Sequence, residues 1–122
     1  EKSPSVADIT ETELWNGSNW TEVNDMNTSR HYPQGAGADN TSAIVFGGID
    51  PPTYWARTEL WNGSNWTEVG DMVTAVGIGH GNGSKTAAMQ TGGYNGTDYG
   101  NSTQEWDGTG FIIRTATTTS DN

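Results

Sequence analysis

The chain has no cysteine, which excludes disulfides, thiolate zinc sites and thiol nucleophiles. Its two histidines, His31 and His80, are not at equivalent positions and lack the spacing of a helical metal pair. No apolar stretch approaches the roughly 18 residues that a membrane-spanning helix needs. The sequence therefore predicts no metal site, no cofactor and no membrane insertion. A calcium site formed by the loop carboxylates Asp39, Asp50, Asp98 or Asp107 stays open, although no Asp-x-Asp-x-Asp-Gly pattern supports it.

Basic residues are also scarce, since five lysines and arginines face 15 acidic residues and leave a net charge of -10. This charge repels the phosphates of nucleic acids and of anionic lipids. Both classes of partner are therefore excluded.

Aliphatic residues and strong helix formers are few, with 31% hydrophobic and 16% charged residues. Seventeen glycines, together with many asparagines, serines and threonines, favour a turn-rich all-β fold. Six tryptophans, four tyrosines and two phenylalanines argue against disorder, because large aromatic side chains supply the apolar area of a core.

An internal repeat is the strongest feature of the sequence. The twelve residues TELWNGSNWTEV occur at 12–23 and again at 58–69, and a degenerate third copy lies at 104–111. The glycine pairs Gly47-Gly48 and Gly92-Gly93 are 45 residues apart. A period of about 45 residues is typical of a propeller blade, a unit of about four short strands.

Local patterns place the strands within the repeat. Small residues at 35–39 predict a tight inner strand, and 43–46 is an apolar strand that ends at the glycine pair. The segments 59–61 and 66–69 flank Asn-Gly-Ser-Asn and predict a β-hairpin, in which two or all four residues form the loop. The predicted units are a partial blade (1–23), two complete blades (24–69 and 70–114) and a tail (115–122).

These pieces resemble the kelch repeats of β-propellers, in which a hydrophobic run, Gly-Gly, an aromatic strand, a tryptophan and a trailing methionine follow one another. The matching segments are IVFGG, TELW, NGSNW and TEVGDM. The resemblance implies four-stranded blades about a central axis. The arginine expected after the methionine occurs once, as Arg30, with Val76 at its counterpart. The sequence NGSNWTEV also resembles kelch-like repeats in structural proteins of marine bacterial viruses.

Residues that recur at the repeat period are interpreted as packing residues between blades. They are Trp15, Trp20, Gly47, Gly48, Trp61, Trp66, Gly92, Gly93, Trp106 and Phe111. We expect Trp20 and Trp66 to be mostly buried, and the glycine pairs to end their strands where crowding forbids a side chain. The recurring carboxylates Glu13, Glu22, Glu59 and Glu68 are expected on a solvated strand face.

The loop after each glycine pair differs in sequence between the copies, while the strands on either side of it repeat. In a propeller this loop shares a face with the loop that enters the next inner strand, and the aromatic residues there suit a glycan or host-surface protein ligand. Tyr54 and Trp55 are expected to be exposed. The interpretation that these side chains only cover the core stays open. The candidate ligand-binding residues are Tyr32, Tyr54, Trp55, Arg57, Tyr94, Asp98 and Tyr99.

Near-identical repeats provide symmetry rather than an asymmetric catalytic centre, so the sequence predicts a non-enzymatic interaction module of a virion or another extracellular assembly. The alternative is a fragment of a carbohydrate-active enzyme whose catalytic residues lie outside the chain. About two and a half blades are too few to close a ring. The expected partners are therefore other copies of the chain or further blades of a longer polypeptide.

Overall fold

The computed structural model of the chain describes residues 10–100 and 102–114. Within these ranges the regular structure is entirely β, and no helix is present that could span a membrane. The strands are β1 (Thr12–Trp15), β2 (Trp20–Val23), β3 (Gln34–Asp39), β4 (Ser42–Phe46), β5 (Ile49–Asp50), β6 (Thr53–Tyr54), β7 (Thr58–Trp61), β8 (Trp66–Val69), β9 (His80–Ser84), β10 (Ala87–Thr91), β11 (Thr103–Trp106) and β12 (Phe111–Arg114).

The strands form antiparallel sheets in the order of the chain. The first sheet is the hairpin β1-β2, the second has the order β3-β4-β7-β8, and the third has the order β9-β10-β11-β12. The short hairpin β5-β6 lies in the connection between β4 and β7. The predicted fold class, four-stranded propeller blades amounting to about two and a half in this chain, is confirmed. Residues 1–9 of the predicted partial blade and the predicted tail 115–122 lie outside the described residues.

The hairpin loop of the second sheet has four residues, which answers the question that the sequence left open. Trp61 pairs with Trp66, and the amide of Asn62 donates to the carbonyl oxygen of Asn65 at 3.2 Å. The side-chain oxygen of Asn62 accepts the amides of Ser64 and Asn65 at 2.9 and 2.8 Å. Gly63 has φ +98°, which a side chain rarely adopts, so the loop requires glycine at this position.

The inner strands pack closely, as their small residues predict. A Cβ on Gly81 of β9 would lie 2.8 Å from the carbonyl oxygen of Gly35 on β3 and 2.8 Å from the ring of Phe46. Gly47, which follows β4, has φ +70°, and a Cβ at this position would collide with the carbonyl oxygen of Val76 and the side chain of Gln34. The interpretation that crowding forbids a side chain at the end of this strand is confirmed for Gly47. It is wrong for Gly92 after β10, where an added Cβ would meet nothing nearer than the carbonyl oxygen of Gly100 at 3.9 Å.

The core lies between the second and third sheets. Ile44 and Phe46 of β4 are 1% and 0% exposed, and the ring of Phe46 meets that of Phe111 edge-on at 5.7 Å. The other buried members of this cluster are Met72, Val76, Ala88 and Trp106. Because alternate residues of a strand point to opposite faces, Ile44 and Phe46 both point toward the third sheet.

The recurring tryptophans are not equally buried. Trp61 and Trp106 are 2% exposed, Trp66 is half-buried, and Trp20 is 64% exposed. The expectation that Trp20 is buried is therefore wrong. Trp66 has a neighbouring sheet on which to pack, since its indole N–H donates to Thr12 Oγ1 at 2.9 Å. Within the described residues no such sheet lies against Trp20.

Candidate binding face

Four connections lie together on one side of the sheets, and we call this surface the loop face. They are 24–33, 47–57, 70–79 and 92–102, the last without residue 101. His31 and Ile49 exchange backbone hydrogen bonds of 2.9 and 2.8 Å, and so do Gly77 and Tyr94 at 3.0 and 2.8 Å. The amide of Gly48 donates to Val76 at 3.0 Å. The prediction that these loops share a face is confirmed.

The two variable loops each contain a small hairpin, although their sequences differ. In the first, Ile49 pairs with Tyr54. In the second, Tyr94 pairs with Tyr99 across Asn-Gly-Thr-Asp, and Asn95 Oδ1 accepts the amides of Thr97 and Asp98, both at 2.8 Å. This second turn has the chemistry of the strand hairpins. The Asn-Gly pair between two aromatic residues is the sequence signal that predicts this turn.

Three of the predicted residues form one aromatic cluster, which we call the tyrosine cluster: Tyr54, Tyr94 and Tyr99. The ring centroids of Tyr54 and Tyr94 are 5.8 Å apart, and the rings meet edge to face at 64°. Those of Tyr94 and Tyr99 are 4.7 Å apart at 48°. Tyr99 is 79% exposed. The cluster joins the variable loops of two successive sheets, and the ring of Tyr99 is its most exposed member.

Trp55 and Arg57 form a separate pair. The guanidinium carbon of Arg57 lies 4.3 Å from the centroid of the Trp55 ring, a cation–π arrangement. The Trp55 indole N–H donates to the carbonyl oxygen of Ser29 at 3.2 Å. Tyr54 and Trp55 are half-buried, so the expectation that both are exposed is wrong. The neighbouring loops cover them, with Ser29 against Trp55 and the second variable loop against Tyr54.

Tyr32 occupies a strained position that recurs in the next blade at Ile78. Their φ angles are +54° and +59°, and the amide of Ile78 donates to the Tyr32 carbonyl oxygen at 3.1 Å. Positive φ at such residues costs about 1 to 3 kcal/mol each. Both side chains are nevertheless exposed, by 62% and 48%. Ile78 was missed by the sequence analysis, although it lies 46 residues after Tyr32.

Asp98 lies in the exposed turn between the rings of Tyr94 and Tyr99. Its amide is bound by Asn95, and its side chain belongs to the solvent-facing part of the loop face. In the part of the chain that the structure describes, no group of three histidine, aspartate or glutamate side chains is placed to hold a metal ion.

A buried ion pair holds the loop 24–33 against β7 of the second sheet. Arg30 Nη2 lies 2.7 Å from Glu59 Oε2, and both side chains are 0% exposed. Arg30 also donates to the carbonyl oxygens of Gly47 and Arg57 at 2.7 and 2.9 Å. Burial lowers the pKa of Arg30, and the carboxylate of Glu59 opposes that shift. The expectation that Glu59 lies on a solvated strand face is therefore wrong.

The third sheet replaces this ion pair with a neutral arrangement. Val76 and Gln104 stand where the second sheet has Arg30 and Glu59. Gln104 Nε2 donates to Gln90 Oε1 at 3.0 Å, and Gln90 Nε2 donates to the Gly92 carbonyl oxygen at 2.7 Å. The charges are thus lost together, which leaves no unpaired buried charge.

No protein-family model matches the chain, and no curated protein matches it. Among solved structures, that of YjhT matches with a TM-score of 0.67 at 13% sequence identity. The match covers 88% of this chain and 38% of YjhT, so the chain spans less than half of that structure. At this identity the similarity supports the fold alone.

Proposed function

We propose that the chain is a non-enzymatic, kelch-like propeller module that binds a glycan or a host-surface protein through its loop face. The observation that carries the proposal is the tyrosine cluster on loops that differ between otherwise repeated blades. Tyr99 is 79% exposed in that cluster, and Tyr32 is 62% exposed on the same face. The residues that recur between the repeats pack the sheets together, whereas the sequences of the variable loops can change to suit a ligand.

The chemistry of the cluster favours a neutral glycan. Tyrosine rings stack on the C–H faces of sugars, and tyrosine hydroxyls, together with the carboxylate of Asp98, exchange hydrogen bonds with sugar hydroxyls. The net charge of -10 repels anionic sugars at long range. Neutral hexose-containing chains therefore fit the face better than acidic ones.

The resemblance of the repeats to kelch-like structural proteins of bacterial viruses supports a place in a virion or another extracellular assembly. In such an assembly, other copies of the chain or further blades of a longer polypeptide would complete the ring.

A glycan array tests the proposal with the full chain, its Tyr99→Ala variant and a Trp20→Ala control. Trp20 is also an exposed aromatic residue, at 64%, but it lies on β2 and not on the loop face. We expect binding that falls at least about tenfold in Tyr99→Ala, the loss of one stacking contact worth about 1.4 kcal/mol, and that persists in Trp20→Ala.

No binding to any glycan on the array, together with no affinity for whole host cells, would contradict the proposal. Equal binding by Tyr99→Ala would remove the tyrosine cluster as the site. Turnover of a bound polysaccharide that is lost in Asp98→Asn or His31→Ala would instead favour the carbohydrate-active enzyme.

A further inference from the structure

The turn at the tip of the second variable loop has the same construction as the turns of the strand hairpins. In each turn an asparagine or aspartate precedes a glycine, and its Oδ1 accepts the amides two and three residues later at 2.8 to 3.0 Å. The glycine has a φ between +98° and +101° in all four turns. The turns begin at Asn16, Asn62, Asn95 and Asp107. Of these four turns, the one at Asn95 lies on the loop face.

Two aromatic residues flank each of these turns, and their rings take nearly the same arrangement. The ring centroids are 4.7 to 5.4 Å apart, and the ring planes meet at 46° to 48°. The pairs are Trp15–Trp20, Trp61–Trp66, Tyr94–Tyr99 and Trp106–Phe111. Trp15 and Trp20 are 45% and 64% exposed, whereas Trp61 is 2% exposed. Because the arrangement is the same with and without burial, the turn sets it and not the packing around the rings.

The glycine of the second variable loop sets where its ring pair lies relative to the second sheet. A Cβ on Gly96 would be 3.2 Å from Cε1 of Tyr54, so the glycine lies directly against that ring. At the corresponding Gly17, a Cβ would have no neighbouring atom of the described residues within 4 Å. The ring of Tyr54 in turn meets that of Tyr94 at a centroid distance of 5.8 Å. The turn of the third sheet is thus seated on the variable loop of the second.

The spacing of Tyr94 and Tyr99 decides how a sugar can stack on them. A sugar ring between two aromatic rings needs about 7 to 8 Å between their centres, twice the carbon–carbon contact distance of about 3.5 to 4.0 Å. The two centroids are 4.7 Å apart, so a sugar ring does not fit between them. Tyr99, which is 79% exposed, is left with its outer face for stacking and has Tyr94 behind it.

We propose that Asn95 and Gly96 are positioning residues of the glycan site. Asn95 holds the rings of Tyr94 and Tyr99 as a closed pair before any glycan binds. Gly96 places that pair against Tyr54. The pair then acts as one rigid platform for one sugar ring, and little side-chain entropy is lost on binding. The inference rests on the proposed function for the class of ligand, whereas the closed ring pair is measurable in the free chain.

The first measurement is NMR of the ¹³C- and ¹⁵N-labelled full chain without glycan. In the parent, nuclear Overhauser effects should connect the rings of Tyr94 and Tyr99. Asn95→Ala should abolish them, because no side-chain oxygen then binds the two amides of the turn. Asn95→Asp should keep them, since the carboxylate of Asp107 makes the same two bonds in its own turn.

The second measurement is the affinity for maltohexaose, cellohexaose and mannohexaose, three neutral hexose chains. Asn95→Ala should weaken binding of the preferred sugar at least about tenfold, and Asn95→Asp should restore it to within about threefold of the parent. Asn16→Ala, which removes the same side chain from the turn of the first hairpin, is the matched control. It should open the Trp15–Trp20 pair and leave the affinity unchanged.

Two glycine variants isolate the contact with Tyr54. Gly96→Ala and Gly17→Ala introduce a side chain at almost the same φ, +101° and +99°, but of the two only Gly96 lies against a ring. Gly96→Ala should shift the ring signals of Tyr54 and weaken binding at least about threefold, whereas Gly17→Ala should do neither. The buried indole of Trp61 should keep its signal in every variant, which shows that the sheets are folded.

Three results would overturn the proposal. They are an intact contact between the two tyrosine rings in Asn95→Ala, an affinity that Asn95→Ala leaves unchanged, and a loss in Asn95→Ala that Asn95→Asp does not rescue. If the parent binds none of the three sugars, the ring contact in the free chain alone supports or overturns the positioning role. The glycan array then decides the proposed function, so the two proposals fail separately.

Discussion

Replacing Arg30 by valine tests how the buried ion pair holds the loops against the second sheet. The substitution leaves the carboxylate of Glu59 buried at 0% exposure without its cation, and it removes the donors to Gly47 and Arg57. Breaking a buried pair from one side costs about 3 to 5 kcal/mol. Because a small domain has only about 5 to 15 kcal/mol of stability, the effect is large enough to measure in one variant.

The chain contains its own matched control for this substitution. Glu59→Gln combined with Arg30→Val reproduces the residues of the third sheet and removes the unpaired charge, so it should recover about 2 kcal/mol or more relative to Arg30→Val. Adding Val45→Gln supplies the donor that Gln90 provides to Gly92. It should recover about a further 1 kcal/mol, the net value of one hydrogen bond.

Urea unfolding of the single, double and triple variants, followed by fluorescence and circular dichroism together, measures these free energies where the two probes coincide. A loss below about 1 kcal/mol for Arg30→Val would show that the ion pair does not hold the loops against the second sheet. Additive effects of Arg30→Val and Glu59→Gln would show the same, because a direct pair must show coupling.

Three further substitutions test the packing and the turns. Trp61→Ala should lower the free energy of unfolding in urea by about 3 to 5 kcal/mol. Trp15→Ala, in the same twelve-residue sequence, should lower it by less than about 1 kcal/mol, because Trp15 is exposed. Equal losses in the two variants would contradict the difference in burial. Gly81→Ala should cost about 1 to 3 kcal/mol, because its Cβ meets the backbone of the adjacent inner strand, while Gly110→Ala, with open space around it, serves as the control. Hydrogen bonds from the amide and hydroxyl of Thr109 lower the pKa of Asp107 below the ordinary 3.8. The contribution of Asp107 to stability is therefore present above that value and is lost as pH falls through the folded pKa. Asp107→Asn, which introduces the residue of the other two hairpins, should abolish this pH dependence, and an NMR titration of the Asp107 carboxyl group checks the direction of the pKa shift.

The turns and strand order were predictable because their causes are local. Asn62 and Gly63 lie within the hairpin that they stabilise, and the glycine pair lies at the end of the strand that it terminates. A repeat period of about 45 residues then predicts how many such strands make one sheet. These features require no knowledge of distant residues.

Burial was predicted less well because its causes are distant in sequence. The same twelve residues place Trp61 in the core and leave Trp15 exposed, so the difference comes from β3 and β4 and not from the repeat itself. Glu59 is buried because Arg30, 29 residues earlier, folds over it. A sequence pattern of alternating polar and apolar residues does not contain that contact.

The candidate site was likewise predictable where its cause is local and unpredictable where it depends on distant contacts. The aromatic residues of the variable loops were identifiable by their divergence from the repeat, and the strained backbone of Tyr32 and Ile78 was not. The tyrosine cluster depends on a turn in one loop meeting a hairpin in another, which is a contact between sheets.

In the proposed function the loop face binds the ligand, while the residues that recur between the repeats only pack the sheets. NMR mapping with a glycan that binds on the array distinguishes these two roles. Binding should shift the ring signals of Tyr54, Tyr94 and Tyr99 and leave the indole signals of Trp61 and Trp106 unchanged. Shifts confined to the turns of the strand hairpins, with the tyrosine ring signals unmoved at saturating glycan, would show that the loop face is not the binding site.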